Sequence, residues 1–344
     1  MRTFLYKFLA TTVLVISLVA GWLWMDYRNF LDTPLALPEE GAVYTVIPGT
    51  SLRQIAEDLN DLGVLSSPAY LVWYGRLTGQ ARRIQAGEYR IEAGATPVSL
   101  VAAFVAGKVR QYSLTLVEGW TYLQVLEAVR SSEYLTHTLG SVSREALLPK
   151  LGYPEQHPEG MFFPDTYYFP RGMTDVAFLQ RAYEALQNHL EEQWANRSEG
   201  LPVKTPYEAL ILASIIEKET AVPDERKAIA GVFVRRLQKG MRLQTDPTVI
   251  YGLGESFDGN LRRRDLRSDS PYNTYRIKGL PPTPIAMPSL ASIEAALHPA
   301  PGEALYFVAR GDGSHEFSAT LEEHNEAVVK YQLGGKRKPF SSSQ

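Results

Sequence analysis

Two carboxylates, Glu217 and Glu219, close an apolar run that reads ALILASIIEKE from Ala209. Ahead of it, Thr205-Pro206-Tyr207-Glu208 has the form of a capping box with proline at the first helical position, and Pro223 terminates the run. The spacing therefore predicts a helix with both acids in its last turn. Leu210, Ile211, Leu212, Ala213, Ile215 and Ile216 make that helix apolar around most of its circumference, the pattern of a buried element. A carboxylate at a helix C-terminus opposes the macrodipole when ionised, and surrounding hydrocarbon adds a desolvation cost, so both effects favour the protonated form. A general acid must hold that form near neutral pH to protonate a glycosidic oxygen. Glu219 has the bulkier helical neighbours, Leu212, Ile215 and Ile216, against Leu210, Ala213 and Ser214 for Glu217. Glu217 is then expected to pair with a base or to orient the helix end. The residues alone also allow a plainer account, with both acids solvated and paired with Lys218 or Arg226.

Other chemistries lack a motif. There is no His-Glu-x-x-His, Ser-x-x-Lys, Gly-x-Ser-x-Gly or Gly-x-x-x-x-Gly-Lys-Ser/Thr, and the six histidines are scattered. His298, His315 and His324 read as structural or surface residues, so neither a metal site nor a cofactor is expected. With no cysteine, thiolate ligands, disulfides and cysteine nucleophiles are excluded. The 35 basic and 38 acidic residues give a net charge of −3, without the concentrated basic face of a nucleic-acid binder. A 45% hydrophobic chain of 344 residues has material for two or three modest domains.

The elements that must position the acid come after a membrane-like start. Phe8 to Met25 runs without a charge, behind Arg2 and Lys7 and with Trp22 and Trp24 near its end. This predicts an uncleaved single-pass anchor, N-terminus cytoplasmic and body outside, over residues 1–26. Pro34, Pro38 and Glu39-Glu40 suggest a linker over 27–42. Four segments then share one pattern, beginning at Tyr44, Tyr89, Leu114 and Tyr167 and aligned on Gly49, Gly94, Gly119 and Gly172. Each has an extended stretch before the glycine, Ser or Thr two residues after it, and an apolar residue six after it. Strand, turn and capped helix is the implied unit. A helix is also expected from about Thr174 to Trp194. From Leu201 a motif-dense domain runs to residue 332, and 333–344 reads as a loose tail.

The blocks ASIIEKETAVPDER (213–226), GVFVRRLQKGMRLQTDPTVIYGLG (231–254), SPYNTYRIKGLPPTPIAMPS (270–289) and ALHPAP (296–301) resemble the endolytic murein transglycosylases. So do EGMFFPDTYYF (159–169), GEYR (87–90) and VEG (117–119). In that family the glutamate directly before threonine is catalytic, which here is Glu219 before Thr220. The resemblance implies non-hydrolytic cleavage of the β-1,4 bond between N-acetylmuramic acid and N-acetylglucosamine, leaving a 1,6-anhydro end on nascent peptidoglycan strands and so limiting their length beside peptidoglycan synthases. Gln244, Asp246, Thr248, Tyr251, Tyr272, Asn273 and Tyr275 carry amide, hydroxyl and aromatic groups suited to an N-acetylated sugar, and are the expected substrate contacts. Asp246 is the motif-borne candidate for a second carboxylate. The opening Tyr44-Thr45-Val46, Gly49, Thr50, Leu52 and Ile55-Ala56 resembles a LysM module, a glycan binder.

The expected fold is α+β: anchor helix, a small LysM-like domain over 43–113, a connecting part over 114–200 and the catalytic domain over 201–332. Two rival functions remain at this point, a hydrolytic muramidase and a non-catalytic, membrane-anchored glycan-binding scaffold. The anchor itself is open to a direct test. A reporter fused after Gln344 should be active outside the cytoplasm and sediment with membranes; recovery of a soluble periplasmic fusion would mean that the apolar run is cleaved.

Overall fold

The computed structural model describes residues 2–333, so the expected tail, apart from Leu333, lies outside the described residues. The chain is a mixture of helices and small antiparallel or paired-strand sheets, and it divides into two compact units. One runs through Tyr112 and takes in Tyr168–Gly172; the other holds Ser113–Tyr167 and Met173 onward. Residues 114–200 and 201–332 thus share a unit, save for the few residues of 168–172.

All four glycine-centred units form. After α1 (Arg2–Asp32), β1 (Ala42–Val46) turns at Gly49 into α2 (Leu52–Asp61), with α3 (Pro68–Leu77) next in the chain. Then β2 (Gly87–Ile91) leads into α4 (Pro97–Val105), and β3 (Gln111–Thr115) into α5 (Tyr122–Arg130) and α6 (Arg144–Lys150). The last is β4 (Thr166–Pro170) with α7 (Asp175–Ala195). The four glycines have φ of +88°, +82°, +74° and +88°, a turn conformation that a Cβ would strain. Ser51, Thr96 and Thr174 each accept the N–H three residues on, at 3.2, 3.3 and 3.1 Å, as N-caps do. At Thr121 the reverse half of the box forms, Gln124 accepting the Thr121 N–H at 2.9 Å. β1 pairs antiparallel with β2, Tyr44 opposite Tyr89, and β3 pairs with β4.

In the first unit Ile55, Ala56, Leu71, Val101 and Phe104 are wholly buried. The Phe104 ring meets Tyr89 edge-on at 4.7 Å, and the Tyr89 hydroxyl donates to the Gln85 carbonyl at 2.7 Å. Such a pair adds directional contact to the area it removes from water. The segment expected as a linker over 27–42 is not one. α1 continues to Asp32, Phe30 and Leu35 join the core, and the Leu35 N–H donates to the Ala95 carbonyl at 2.8 Å. The prolines end the helix, but the apolar residues around them fasten the chain to the unit. Along α1, residues such as Leu9, Val13, Ile16, Trp22 and Trp24 are exposed, and the helix is long and apolar enough to cross a membrane.

The second unit is organised around α8 (Pro206–Glu219), buried without interruption from Ala209 to Ile216. Thr205 accepts the Glu208 N–H at 3.1 Å, while the Glu208 carboxylate takes the Lys204 N–H at 2.5 Å, one residue before the expected box partner. α8 packs against α7, α9 (Arg226–Gln238), α10 (Asp246–Leu253) and α11 (Leu290–Leu297). A hairpin of β5 (Tyr306–Ala309) and β6 (His315–Ser318) with α12 (Leu321–Tyr331) completes it. Phe104→Ala should cost about 3–5 kcal/mol, the usual toll of a large cavity in a closed core. Denaturant unfolding monitored on the first unit would check this, a shift under about 1 kcal/mol meaning that the core there can collapse.

Candidate active site

Glu219 ends α8, where the chain leaves the helix through the extended Thr220. Neither Lys218 nor Arg226 pairs with it. Its Oε1 accepts a short hydrogen bond from the Thr245 hydroxyl. Thr245 stands before Asp246-Pro247, the position of an N-cap for α10, yet its side chain makes no cap and turns to Glu219 instead. Gln244 makes this possible: at φ +55° it is the one non-glycine among the described residues with positive φ. That conformation is costly for a side-chain-bearing residue and survives where surrounding bonds enforce it. Here its N–H donates to the Thr274 carbonyl at 3.2 Å and its side chain accepts from Arg236 at 3.3 Å.

Arg236 is buried beside the acid. It donates to the carbonyls of Leu305, Arg242 and Leu243 at 2.6, 3.2 and 2.8 Å and lies 5.0 Å from the centre of the Tyr306 ring. Burial pushes the Glu219 carboxyl up to about 7, against the pull of the Thr245 hydrogen bond; the charge of Asp246 adds to the rise, and those of His315 and Arg236 oppose it. Although a little of the side chain reaches solvent, protein atoms surround the carboxyl in depth. The group can therefore hold a proton near neutral pH and, having lost it, meet positive charge nearby.

Glu217 has a different employment. Its Oε2 accepts the Ser289 N–H at 2.9 Å and the hydroxyls of Ser289 and Ser292 at 2.5 and 2.7 Å, so it orients the N-terminus of α11, and among the described residues it pairs with no base. One turn earlier, Ser214 accepts the Ile285 N–H at 3.0 Å while donating to the Ile211 carbonyl at 2.7 Å. The loop 283–289 is thereby stitched to α8 at two levels.

Glu219 lines two clefts that share no other residue. One, about 730 Å³, is walled by Leu116–Gly119, Pro164–Thr166, Lys218, Thr220 and Arg226. The other, about 560 Å³, includes Gln244, Asp246, Tyr275, Tyr306 and His315. Of the seven residues expected to meet substrate, Gln244, Asp246 and Tyr275 line this second cleft with the acid, and the Tyr275 hydroxyl donates to Asp246 at 2.6 Å. The other four lie elsewhere. Thr248 and Asn273 have no exposed surface. Thr248 donates to the Thr245 carbonyl at 2.8 Å, and the Asn273 amide donates to the carbonyls of Ser268 and Leu266 at 2.8 and 3.1 Å. Both satisfy backbone that would otherwise be buried without partners. Tyr251 and Tyr272 line neither cleft. Their rings meet at 4.9 Å, the Tyr251 hydroxyl donates to Glu159 at 3.0 Å, and Tyr272 shares a hydrogen bond with Thr283 at 2.8 Å.

Several residues of the site went unread in the sequence. Thr245 has the signature of a cap, which disguises its hydroxyl's role. Glu118 enters the first cleft on the turn of the third repeat unit, and burial together with the Glu217 charge raises its carboxyl while Arg226 lowers it. Outside both clefts, Glu159 is wholly buried, holds the Tyr122 N–H at 2.9 Å and is pushed up to about 7 by burial. The adjacent Gly160 is the clue to that packing, since a Cβ there would stand 2.5 Å from Pro284.

The YceG-like family matches residues 44–330 of the chain. A protein of Bacillus subtilis (strain 168) named endolytic murein transglycosylase is 32% identical over 332 residues, covering 91% of both chains. One of the same name from Streptococcus pneumoniae serotype 2 is 25% identical over 363 residues, covering 94% of this chain and 65% of that one. The crystal structure of a yceG-like protein from Listeria monocytogenes is 30% identical with a TM-score of 0.52, covering 84% of this chain and 99% of that one.

The raised carboxyl has a thermodynamic signature. Because the folded-state value lies above the ordinary 4.5, the folded protein binds the extra proton between about pH 4.5 and 7, and stability falls as pH rises through that window. Glu219→Gln should therefore unfold at a higher temperature than wild type at pH 8 and at nearly the same temperature at pH 4. Glu217→Ala should lose about 1–3 kcal/mol by freeing the α11 donors. Thermal unfolding across pH reads both; a Glu219→Gln midpoint that never exceeds wild type would contradict the buried-acid account.

Proposed function

The chain belongs to the YceG-like family, and we propose on that footing that it is a peptidoglycan lytic transglycosylase with Glu219 as its acid and base. The observation that carries the reading is a single carboxyl, pushed up to about 7 by burial, at the meeting of two clefts. An enzyme that cuts inside a strand needs room for sugars on both sides of the acid, and the two clefts supply walls of the kind that bind glycans.

In the proposed reaction Glu219 gives its proton to the oxygen of the β-1,4 bond between N-acetylmuramic acid and N-acetylglucosamine, and the muramic C1–O bond breaks. The resulting carboxylate then takes the proton of the muramic C6 hydroxyl as that oxygen bonds to C1. A 1,6-anhydro ring closes, no water is consumed, and Glu219 is protonated again. Hydrolysis would need a second carboxylate at about 5–5.5 Å or 6.5–9.5 Å from the first. Asp246 is close enough to raise Glu219, but one of its oxygens already accepts the Tyr275 hydroxyl. Gln244, Asp246 and Tyr275 are the substrate contacts this reading retains.

α1 is the proposed single-pass anchor in the inner membrane, with its N-terminus cytoplasmic and the body periplasmic. There the enzyme would meet nascent strands next to peptidoglycan synthases and limit strand length. The LysM-like region 43–113 is proposed to hold glycan; a cleft of about 830 Å³ with Arg53, Arg76 and Arg82 on its walls supports that role.

Purified full-length protein acting on glycan strands should yield ends that are one water lighter than reducing ends by mass spectrometry. Glu219→Gln should cut the rate by about 10²–10⁴-fold, the range of general acid–base catalysis, with strand binding retained. Reducing ends would establish a muramidase instead, and undiminished cleavage by Glu219→Gln would remove this acid from the mechanism.

A further inference from the structure

The second cleft holds another titratable group that the proposed reaction does not use. His315, the first residue of β6, lines it together with Glu219. Its Nδ1 lies 2.7 Å from Glu225 Oε2, and its backbone N–H donates to Glu225 Oε1 at 2.8 Å. Both side chains are largely withdrawn from water, at 12% and 14% exposure, so this is a built contact and not a surface ion pair. Phe307 on β5 closes one side of the imidazole, edge-on at 5.3 Å. Glu225 belongs to the short turn Pro223–Glu225 just after the acid's own helix, so the chain that carries Glu219 also grips the histidine.

A carboxylate accepting from Nδ1 makes that nitrogen a donor, steadies the ring and leaves Nε2 as its other polar atom. In the second cleft the groups facing Glu219 are Thr245 and Asp246 from the start of α10, Arg236 from α9, Tyr275 from the loop after α10, His315 from β6 and His324 from α12, while Glu118, Lys218 and Arg226 share the first cleft with it. Asp246 repels a carboxylate at this position. Arg236 attracts one, but its Nε and one terminal nitrogen are already bonded to carbonyls and to Gln244. Lys218 and Arg226 line the first cleft without pairing with Glu219, and burial together with the Arg236 charge holds His324 of the second cleft below the ordinary imidazole range, which leaves His315 as the further group whose positive charge would act on Glu219 from this cleft.

We propose that His315, clamped by Glu225, is a positioning residue of the acid: in its protonated form it supports the carboxylate that Glu219 becomes once its proton has gone to the glycosidic oxygen. This rests on the role of Glu219 proposed above. The support acts when negative charge appears, which is when an oriented charge in a water-poor cleft accelerates a reaction. Glu225 keeps the ring in place.

His315→Gln and Glu225→Gln, made in the full-length protein, test the idea through strand cleavage from pH 5 to 9 and through thermal unfolding over the same range. His315→Gln should slow cleavage about 10–100-fold at pH 7, less than loss of the acid itself. Without the cation the Glu219 proton is held more tightly, so the alkaline limb of the rate profile should move to higher pH by about half a unit or more. The pH window over which wild type loses stability relative to Glu219→Gln should move the same way when both carry His315→Gln. Glu225→Gln should give a smaller shift in the same direction, and the double variant should be no worse than His315→Gln, because the two act as one unit. A merely structural histidine would lower the unfolding temperature without displacing either profile. Unmoved profiles in a folded His315→Gln, or a shift to lower pH, would overturn the proposal. If Glu219→Gln cleaves like wild type while the stability window still moves, the assignment of the acid fails and the electrostatic coupling stands.

Discussion

A carboxyl group keeps its proton at neutral pH only while protein, and not water, surrounds it, and most of the second unit is built to meet that requirement. α8 is buried from Ala209 to Ile216, so Glu219 emerges from a dry shaft and only a small part of its side chain reaches the clefts. A buried helix end needs its neighbours held, because loose packing would admit water and return the acid to its ordinary range. Ser214 and Glu217 provide that hold on the 283–289 loop and on α11, and Gln244 accepts a strained backbone so that Thr245 can reach the carboxyl. Asp246 on one side and Arg236 with His315 on the other leave the group between the two ionisation states.

Local chemistry was legible in the sequence and distant chemistry was not. The four glycine-centred units, the Thr205 cap and the span of α8 depend on residues within a few positions of one another, and their turn, cap and periodicity signals survive in any context. Thr245, Arg236, His315 and Glu159 act through partners 26 or more residues away or through backbone carbonyls, which carry no mark in the sequence. Thr248 and Asn273 failed for the converse reason. A polar side chain in a motif-dense stretch looks available to a ligand, yet loops that wrap a buried helix have carbonyls of their own to satisfy. The misread linker belongs to the same class: Pro34 and Pro38 announce a break, while Phe30 before them and Leu35 between them meet core residues far along the chain.

The repeat units show one local design put to different uses. In the first, the turn at Gly49 is open, with no atom within 4 Å of where a Cβ would stand. In the third, the equivalent turn is woven into the site: Gly119 N–H donates to the Met287 carbonyl at 2.8 Å, Lys218 reaches the Gly119 carbonyl at 3.3 Å, and Glu118 beside it forms a wall of the cleft. A unit whose strand, cap and helix are self-sufficient leaves its turn free to acquire such contacts.

The continuity of α1 with the first unit bears on how the protein would search for its substrate. From Met25 to Asp32 the helix rises only about 1.5 Å per residue, and the Tyr70 hydroxyl donates to Asp26 at 2.8 Å, so the unit grips the helix immediately beyond the apolar run. With α1 as the anchor, there is no slack tether at this joint: the first unit rides close to the lipid headgroups as a rigid extension of the membrane span. On that reading the first unit diffuses laterally with the span in a thin shell at the bilayer, and glycan presented there would meet it at a high effective concentration.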